Sequence, residues 1–141
     1  MLDLEPLLID RLKALPGILG VYGAAEMMAA NQAAFSSPCL YVMFDGYKPV
    51  EATHSNKTTR IEARWLVVLS VRQVQQAAAG TAARSEAAPL FDAVLSALMG
   101  WVPPGYTPLA LASAPGPEFS AGQLLFATAF TTSRVVKAKD F

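Results

Sequence analysis

The segment Thr59–Val71, TRIEARWLVVLSV, decides the fold of this chain. Apolar side chains occupy every second position along it, at Ile61, Ala63, Trp65, Val67, Leu69 and Val71. The intervening positions carry charge at both ends of the segment and apolar or small side chains in the middle. This alternation predicts a long β-strand with one face in a core, and the neutral middle of the other face predicts that it is covered as well.

The segments on either side predict a mixed domain. Leucines at helical spacing predict a helix over Leu4–Leu15, with Asp3 as its N-cap and Pro16 and Gly17 as its stop. Four more strands are predicted at 18–22, 38–45, 109–112 and 123–132, and a second helix at 90–98. The segment 24–33 is compatible with a short helix or a loop.

This order of elements predicts an α+β fold, a mostly antiparallel sheet of four to five strands with two main helices packed on it. The length predicts a single domain over 1–141, with 134–141 as a flexible tail. Loops are expected at Gln73–Ser85 and, after a turn at Asp45, at Gly46–Thr58. The second of these is long and polar, and loops of this kind often carry function.

Ionised side chains are scarce. The chain has 11 Lys plus Arg and 11 Asp plus Glu, so 16% of its residues are charged against about 25% in an average domain. Glu118 is the single charged residue of 93–133, and Glu26 is the single one of 14–44. A surface this neutral is poorly soluble when bare, so we expect copies of the chain to cover part of it.

The same composition argues against several classes of partner. Zero net charge gives no general attraction to nucleic acid or to an anionic membrane, and no run of 18 apolar residues predicts a membrane span. The chain starts without a basic region ahead of an apolar one, so no signal peptide is predicted and a cytosolic location is expected.

No motif predicts catalysis. One Cys and one His exclude a zinc cluster and any mechanism with two histidines, and we expect no catalytic residue, cofactor or metal. His54 could act as a base on Ser55, but we favour an exposed loop histidine. Asp45 and Glu51 could pair as carboxylates, but the glycine after Asp45 favours a turn. The glycines of 17–23 match no nucleotide-binding fingerprint.

Ten residues are expected at interfaces. The cations of the central strand form a basic stripe that we interpret as a solvated rim or as partners of another subunit, in preference to a nucleic-acid site. Trp65 and Trp101 are interpreted as anchors of the core or of an interface, and they are included with the other aromatic residues among the expected contacts. The ten are Tyr47, Lys48, His54, Lys57, Arg60, Arg64, Trp65, Trp101, Phe126 and Phe130.

The order and lengths of these elements resemble the tail terminator-like proteins of Mu-like, contractile-tailed phages and prophages. The resemblance is carried by four features: a first helix that ends in LPGI at 15–18, the strand PCLYV at 38–42, the strand RWLVVLSV at 64–71 with the helix LFDAVLSAL at 90–98, and Trp101 with a closing strand after PEF at 117–119.

The resemblance implies a structural virion protein with no catalysis. In that family a small α+β subunit forms a ring, expected here to be a hexamer, that caps the tail tube and docks the head connector. The implied partners are further copies of the chain, the tail tube protein and the connector protein, with no membrane and no sequence-specific nucleic acid. The implied location is the cytoplasm of a bacterial host during assembly and then the virion tail.

Two alternatives stay open at this point. The chain could be a small dimeric α+β enzyme or ligand-binding domain, with an apolar pocket lined by Tyr41, Trp65 and Phe126. It could also be a subunit of a tail-derived injection machine or another neck protein.

Overall fold

The computed structural model describes residues 1–25, 37–72, 81–120 and 122–139. These residues form two main helices and six strands around one sheet. The helices are α1, Leu4–Lys13, and α2, Thr81–Leu98; the strands are β1, Gly20–Tyr22, β2, Cys39–Ala52, β3, Thr58–Arg72, β4, Ala110–Ala112, β5, Glu118–Ser120, and β6, Gln123–Lys137. Within the segment 24–33, Ala24 and Ala25 are helical and the remaining residues lie outside the described part.

The strand order across the sheet is β1-β2-β3-β6-β4, and β5 pairs with the first residues of β6. The β1–β2 pair is parallel and every other pair is antiparallel. The predicted α+β class and the mostly antiparallel sheet are confirmed. The sixth strand is β5, which forms a hairpin with β6 across Gly122, a residue with φ of +77°. Three residues are too few to show an alternating pattern in the sequence.

The two helices cover the face of the sheet that carries Trp65, which we call the first face. Leu4, Leu8 and Leu12 form the buried stripe of α1, and Val94 and Leu98 are buried on α2. On β3 the alternation is borne out, because Trp65, Val67 and their neighbours at every second position belong to the core. Burial of this apolar stripe, at roughly 25 cal/mol per Å², is the main force that holds helices to sheet.

The second face carries Tyr41 and is also largely apolar. Cys39, Tyr41 and Val68 are buried there, with Met43 and Leu125 packed beside them. The ring of Tyr22 lies 5.9 Å from that of Tyr41. The segment 113–117 passes beside Leu125. The expectation that both faces of the central strands are covered therefore holds in the middle of the sheet.

The expected loop after Asp45 is instead a strand. Pairing of β2 with β3 continues to Ala52, with bulges between Phe44 and Tyr47 and between Pro49 and Glu51. Gly46 lies in the first bulge with φ of +95°, a conformation that favours glycine, so the turn signal marks a bulge. The strand was missed because both of its faces meet solvent here, which removes the apolar alternation.

Three further boundaries differ from the predictions. β6 continues to Lys137 because its last residues pair with Thr58–Ile61. α2 begins at Thr81, within the predicted loop, where an alanine-rich start favours helix without an apolar stripe. Asp3 makes no capping hydrogen bond, because its carboxylate accepts one from Tyr106. The single-domain organisation stays a prediction.

Candidate functional site

The most exposed part of the sheet is a projection formed by Asp45–Arg64 of β2 and β3 with Ser133–Lys139 of β6 and its end, and we call it the arm. From Asp45 to Lys57 every residue except Gly46 is exposed, so neither helix covers this part of the hairpin. The tip is the short turn 53–57, closed by hydrogen bonds between Thr53 and Thr58. Continuous pairing of three strands gives this exposed segment a defined shape.

The arm concentrates the positive charge of the protein. Seven of the 11 Lys and Arg lie on it, but only three of the 11 Asp and Glu. The arm therefore carries a net charge of +4, and the rest of the chain carries −4. The net charge of the whole chain is zero, and it therefore does not reveal this separation of charge between the arm and the rest of the chain.

One face of the arm is apolar. Tyr47 and Val136 flank Ile61 on the first face of the sheet, and with the N-terminal Leu2 they border an open groove of about 610 Å³. Tyr47 and Leu2 are each 65% exposed. Exposed apolar side chains grouped in this way mark surfaces that contact another molecule.

The other face of the arm is charged. Lys48 pairs with Glu62 at 3.4 Å, and Nε of Arg64 pairs with Asp45 at 2.8 Å. Arg64 also donates a hydrogen bond to the carbonyl of Ser113, which ties the arm to the segment after β4.

The arm also carries three cations that take no part in these ion pairs. Among the described residues, Arg60, Lys137 and Lys139 make no ion pair. All three are exposed. These unpaired cations are available to an anionic partner surface.

A polar contact fixes the base of the arm to α1. The hydroxyl of Tyr106 donates to Asp3 at 2.7 Å and lies 3.3 Å from Nη1 of Arg134, whose guanidinium stacks over the Tyr106 ring. The hydrogen bond from Tyr106 lowers the pKa of Asp3, and burial raises the pKa of Tyr106. The Asp3 carboxylate is therefore ionised at neutral pH and holds the N-terminal end of α1 against the strand that continues into the arm.

A second apolar surface lies at the β6 edge of the sheet. A groove of about 390 Å³ runs between α2, β6 and the segment 113–117, with Phe91, Leu111 and Phe126 among its lining residues. We call it the edge groove. β4 and β5 pair with β6 on either side of Phe126–Thr128 and leave that stretch of strand edge between them.

The surroundings of the edge groove are anionic. Asp92 follows the lining residue Phe91 on α2, and Glu118 of β5 lines an adjoining cavity on the second face that shares Pro115 and Ala127 with the edge groove. Both carboxylates are exposed, and neither makes an ion pair with a described residue. Leu111 and Phe119 add two exposed apolar side chains, at 51% and 64% exposure.

Six of the ten residues expected at interfaces lie together on the arm. Five of them are exposed on the strands or the tip, and Arg64 is half-buried. These six are Tyr47, Lys48, His54, Lys57, Arg60 and Arg64.

The other four lie elsewhere. Trp65 and Phe130 are each 1% exposed in the core, opposite one another on β3 and β6, so they offer no surface to a partner. Phe126 is half-buried and lines the edge groove. Trp101 is half-buried under the guanidinium of Arg11, 4.8 Å from the ring centre.

Sequence reasoning missed the β6 part of the arm and most of the edge groove. Val135 and Val136 are half-exposed on β6, in a stretch that was expected to be a tail. Two adjacent β-branched residues before Lys137 favour a strand and could have predicted that β6 continues this far. Leu111 and Phe119 carried no such signal, because their exposure depends on tertiary packing.

The pocket expected for a ligand-binding domain does not form. Trp65 and Phe126 lie on the first face of the sheet, and Tyr41 lies on the second. The three side chains therefore line no common cavity. Within the described ranges, no group of three or more His, Cys, Asp or Glu side chains could hold a metal ion, and no helix is long and apolar enough to cross a bilayer.

Comparison with known proteins identifies the family. A family model described as "Phage tail terminator protein" matches residues 1–139. The chain belongs to the phage tail terminator family. The resemblance noted from the sequence is thereby confirmed, and the chain is a structural protein of a phage tail.

A solved structure shows the same fold in a related setting. A chain of the "Virion of native gene transfer agent (GTA) particle" superposes with a TM-score of 0.54 at 18% identity, over 89% of this chain and 90% of that one. At this identity the likeness establishes the shared fold alone. No curated protein matches the sequence.

Proposed function

We propose that this terminator-family chain forms a closed ring that caps the end of the tail tube, stops its growth and presents a surface for the head connector. The observation that carries the proposal is the family match over residues 1–139. Ring formation, tube capping and connector docking are the finer parts of the function that we infer from it.

The surface of the subunit supports a ring. A subunit in a closed ring has two lateral faces, a face toward the tube and a face toward the connector, so much of its surface is covered. Eleven large hydrophobic side chains are exposed among the described residues, including Tyr47 on the arm and Phe119 beside the edge groove. Covering such patches by association removes their apolar area from water.

The proposal includes the expected partners and location. The ring consists of six copies, and its two ends meet the tail tube protein and the connector protein. Assembly takes place in the cytoplasm of a bacterial host, from which the ring passes into the virion tail. In this role the chain acts by binding its neighbouring copies, the tail tube and the connector. It performs no catalytic step and makes no sequence-specific contact with nucleic acid.

Electron microscopy of tail tubes tests the proposal. Tube protein is polymerised with and without the chain at a molar ratio well below one. We expect shorter tubes with an added disc of density at one end and none along the sides. Decoration along the whole tube, or tubes of unchanged length with bare ends, would contradict the proposal. Bovine serum albumin at the same concentration serves as the control for crowding.

A further inference from the structure

The arm and the edge groove both present apolar side chains, and the charges near them have opposite sign. The arm presents exposed apolar side chains on both faces: Tyr47 and Val136 lie on the first face, and Val135 lies on the second face opposite the unpaired Arg60. The edge groove presents an apolar cleft of about 390 Å³, with the exposed Asp92 next to its lining residue Phe91 on α2 and the exposed Glu118 in the adjoining second-face cavity. We infer that the arm of one copy docks in the edge groove of a second copy, an inference that rests on the proposed ring and assigns its subunit contact.

The opposite net charges of the arm and of the rest of the chain favour a second copy as the occupant of the groove. The arm has a net charge of +4 and the remainder of the chain has −4. Glu118 is the single charged residue of 93–133, so no cation of that stretch opposes an approaching basic arm. Opposite charges on the two surfaces favour encounter and fix the register in which they meet.

The positions of the two surfaces predict contacts that repeat from copy to copy and not an isolated dimer. The arm lies at the hairpin end of the sheet, and the edge groove lies along the β6 edge between β4 and β5. A contact between two different patches is heterologous, so each copy offers one arm and one groove to two different neighbours. Such contacts continue from copy to copy until the rotation closes a ring.

A nucleic acid is a poorer occupant of the arm. Phosphate contacts need cations that are free to approach the backbone, and two of the arm cations, Lys48 and Arg64, are held in ion pairs. Contact with a phosphate backbone would not bury the exposed apolar side chains of Tyr47, Val50 and Val136. A neighbouring subunit with an apolar cleft accounts for both the cations and the apolar side chains.

Reversed charges test the contact by sedimentation velocity. The arm variant is R60E/K137E, and the groove variant is D92K/E118K. We expect each variant alone to need at least a tenfold higher concentration for half-assembly than the wild type, because each replaces attraction with repulsion at every contact. The control is K13E/R72E, which makes the same change of charge away from the arm and should assemble like the wild type.

Mixing the two variants gives the decisive result. A reversed arm matches a reversed groove, and the normal arm of the groove variant matches the normal groove of the arm variant. An equimolar mixture should therefore restore assembly at wild-type concentration in rings of alternating subunits. Unchanged thermal unfolding of each variant, followed by circular dichroism, shows that the subunits remain folded.

Four results would overturn the inference. If the arm variant assembles like the wild type, the arm is not the subunit contact, although the ring itself stands. If it assembles normally but loses binding to a 30-base-pair DNA duplex, the arm faces nucleic acid. If neither variant assembles alone or in the mixture, the surfaces are not partners. A wild-type chain that never assembles refutes the proposed ring, and the docking contact with it.

Discussion

Replacing Trp65 with alanine measures whether this residue belongs to the core of one subunit or to a contact between subunits. Its side chain is 1% exposed, and its ring lies 5.2 Å from that of Phe44. Truncation of a buried Trp costs about 4 kcal/mol through lost transfer energy and a residual cavity. Its indole N–H is buried and has no hydrogen-bond partner among the described residues, so removal of that donor returns about 1 kcal/mol. We therefore expect a loss of about 3 kcal/mol in the free energy of unfolding.

Urea unfolding at two protein concentrations tenfold apart provides the assay, because a contribution from assembly makes the midpoint depend on concentration. Trp101→Ala is the matched control. This side chain is half-buried under Arg11, and its loss should cost about 1 kcal/mol. The reasoning is wrong if Trp65→Ala changes the unfolding free energy by less than about 1 kcal/mol at both concentrations while it abolishes assembly.

Three further perturbations probe the arm and its base. Arg64→Ala removes the ion pair to Asp45 and should lower the unfolding free energy by about 1 kcal/mol, a discounted value because both side chains are partly exposed. Thermal denaturation measures this loss, and an unchanged midpoint would show that the ion pair contributes no stability. Tyr106→Phe removes the donor that lowers the pKa of Asp3, so the wild type should exceed the variant in stability by about 1 kcal/mol at pH 7. That advantage is present above the ordinary pKa of Asp and is lost as the pH falls through the lowered value; urea midpoints at a series of pH values should converge in acid, and a constant difference would rule out the Asp3 contact as the cause. Gly46→Ala should cost about 1 kcal/mol in chemical denaturation, because φ is +95° and no atom lies within 4 Å of an added Cβ; a neutral effect would place the bulge elsewhere.

Much of the fold could be predicted from the sequence because burial leaves a periodic trace. β3 is buried along its first face, so its alternation gave the strand within one residue at either end. α1 buries Leu4, Leu8 and Leu12, so its spacing gave the helix. The hairpin part of β2 left no such trace, since solvent reaches both of its faces and its pairing depends on β3.

The site was predictable only in outline. The long polar segment Gly46–Thr58 was expected to be a loop of functional importance, and its residues are largely exposed, although most of them form strands. Two of the aromatic residues lie in the core for a physical reason: a Trp or Phe in a neutral strand suits a core and an interface equally well, and Trp65 and Phe130 are buried. The edge groove forms because α2 lies close to β6. These two elements are far apart along the chain, so local sequence patterns could not predict that they lie side by side.

The polarity of charge could have been found from sequence with the correct strand ends. Once β2 and β6 extend to Ala52 and Lys137, five of the seven arm cations lie on strands, and Lys57 in the tip and Lys139 after β6 complete the set. With the loop and the flexible tail that were expected, the same cations belong to two unrelated segments. Tertiary pairing of β6 with the hairpin joins them into one surface.

The mass of the assembled chain tests the central claim most directly, namely that copies of the chain cover its neutral flanks. Light scattering is measured on the purified protein across a wide range of concentration, alone and with short tail tubes that offer free ends. A ring of six subunits of 15.0 kDa predicts a species of about 90 kDa. A species that stays at 15.0 kDa under both conditions would contradict the account.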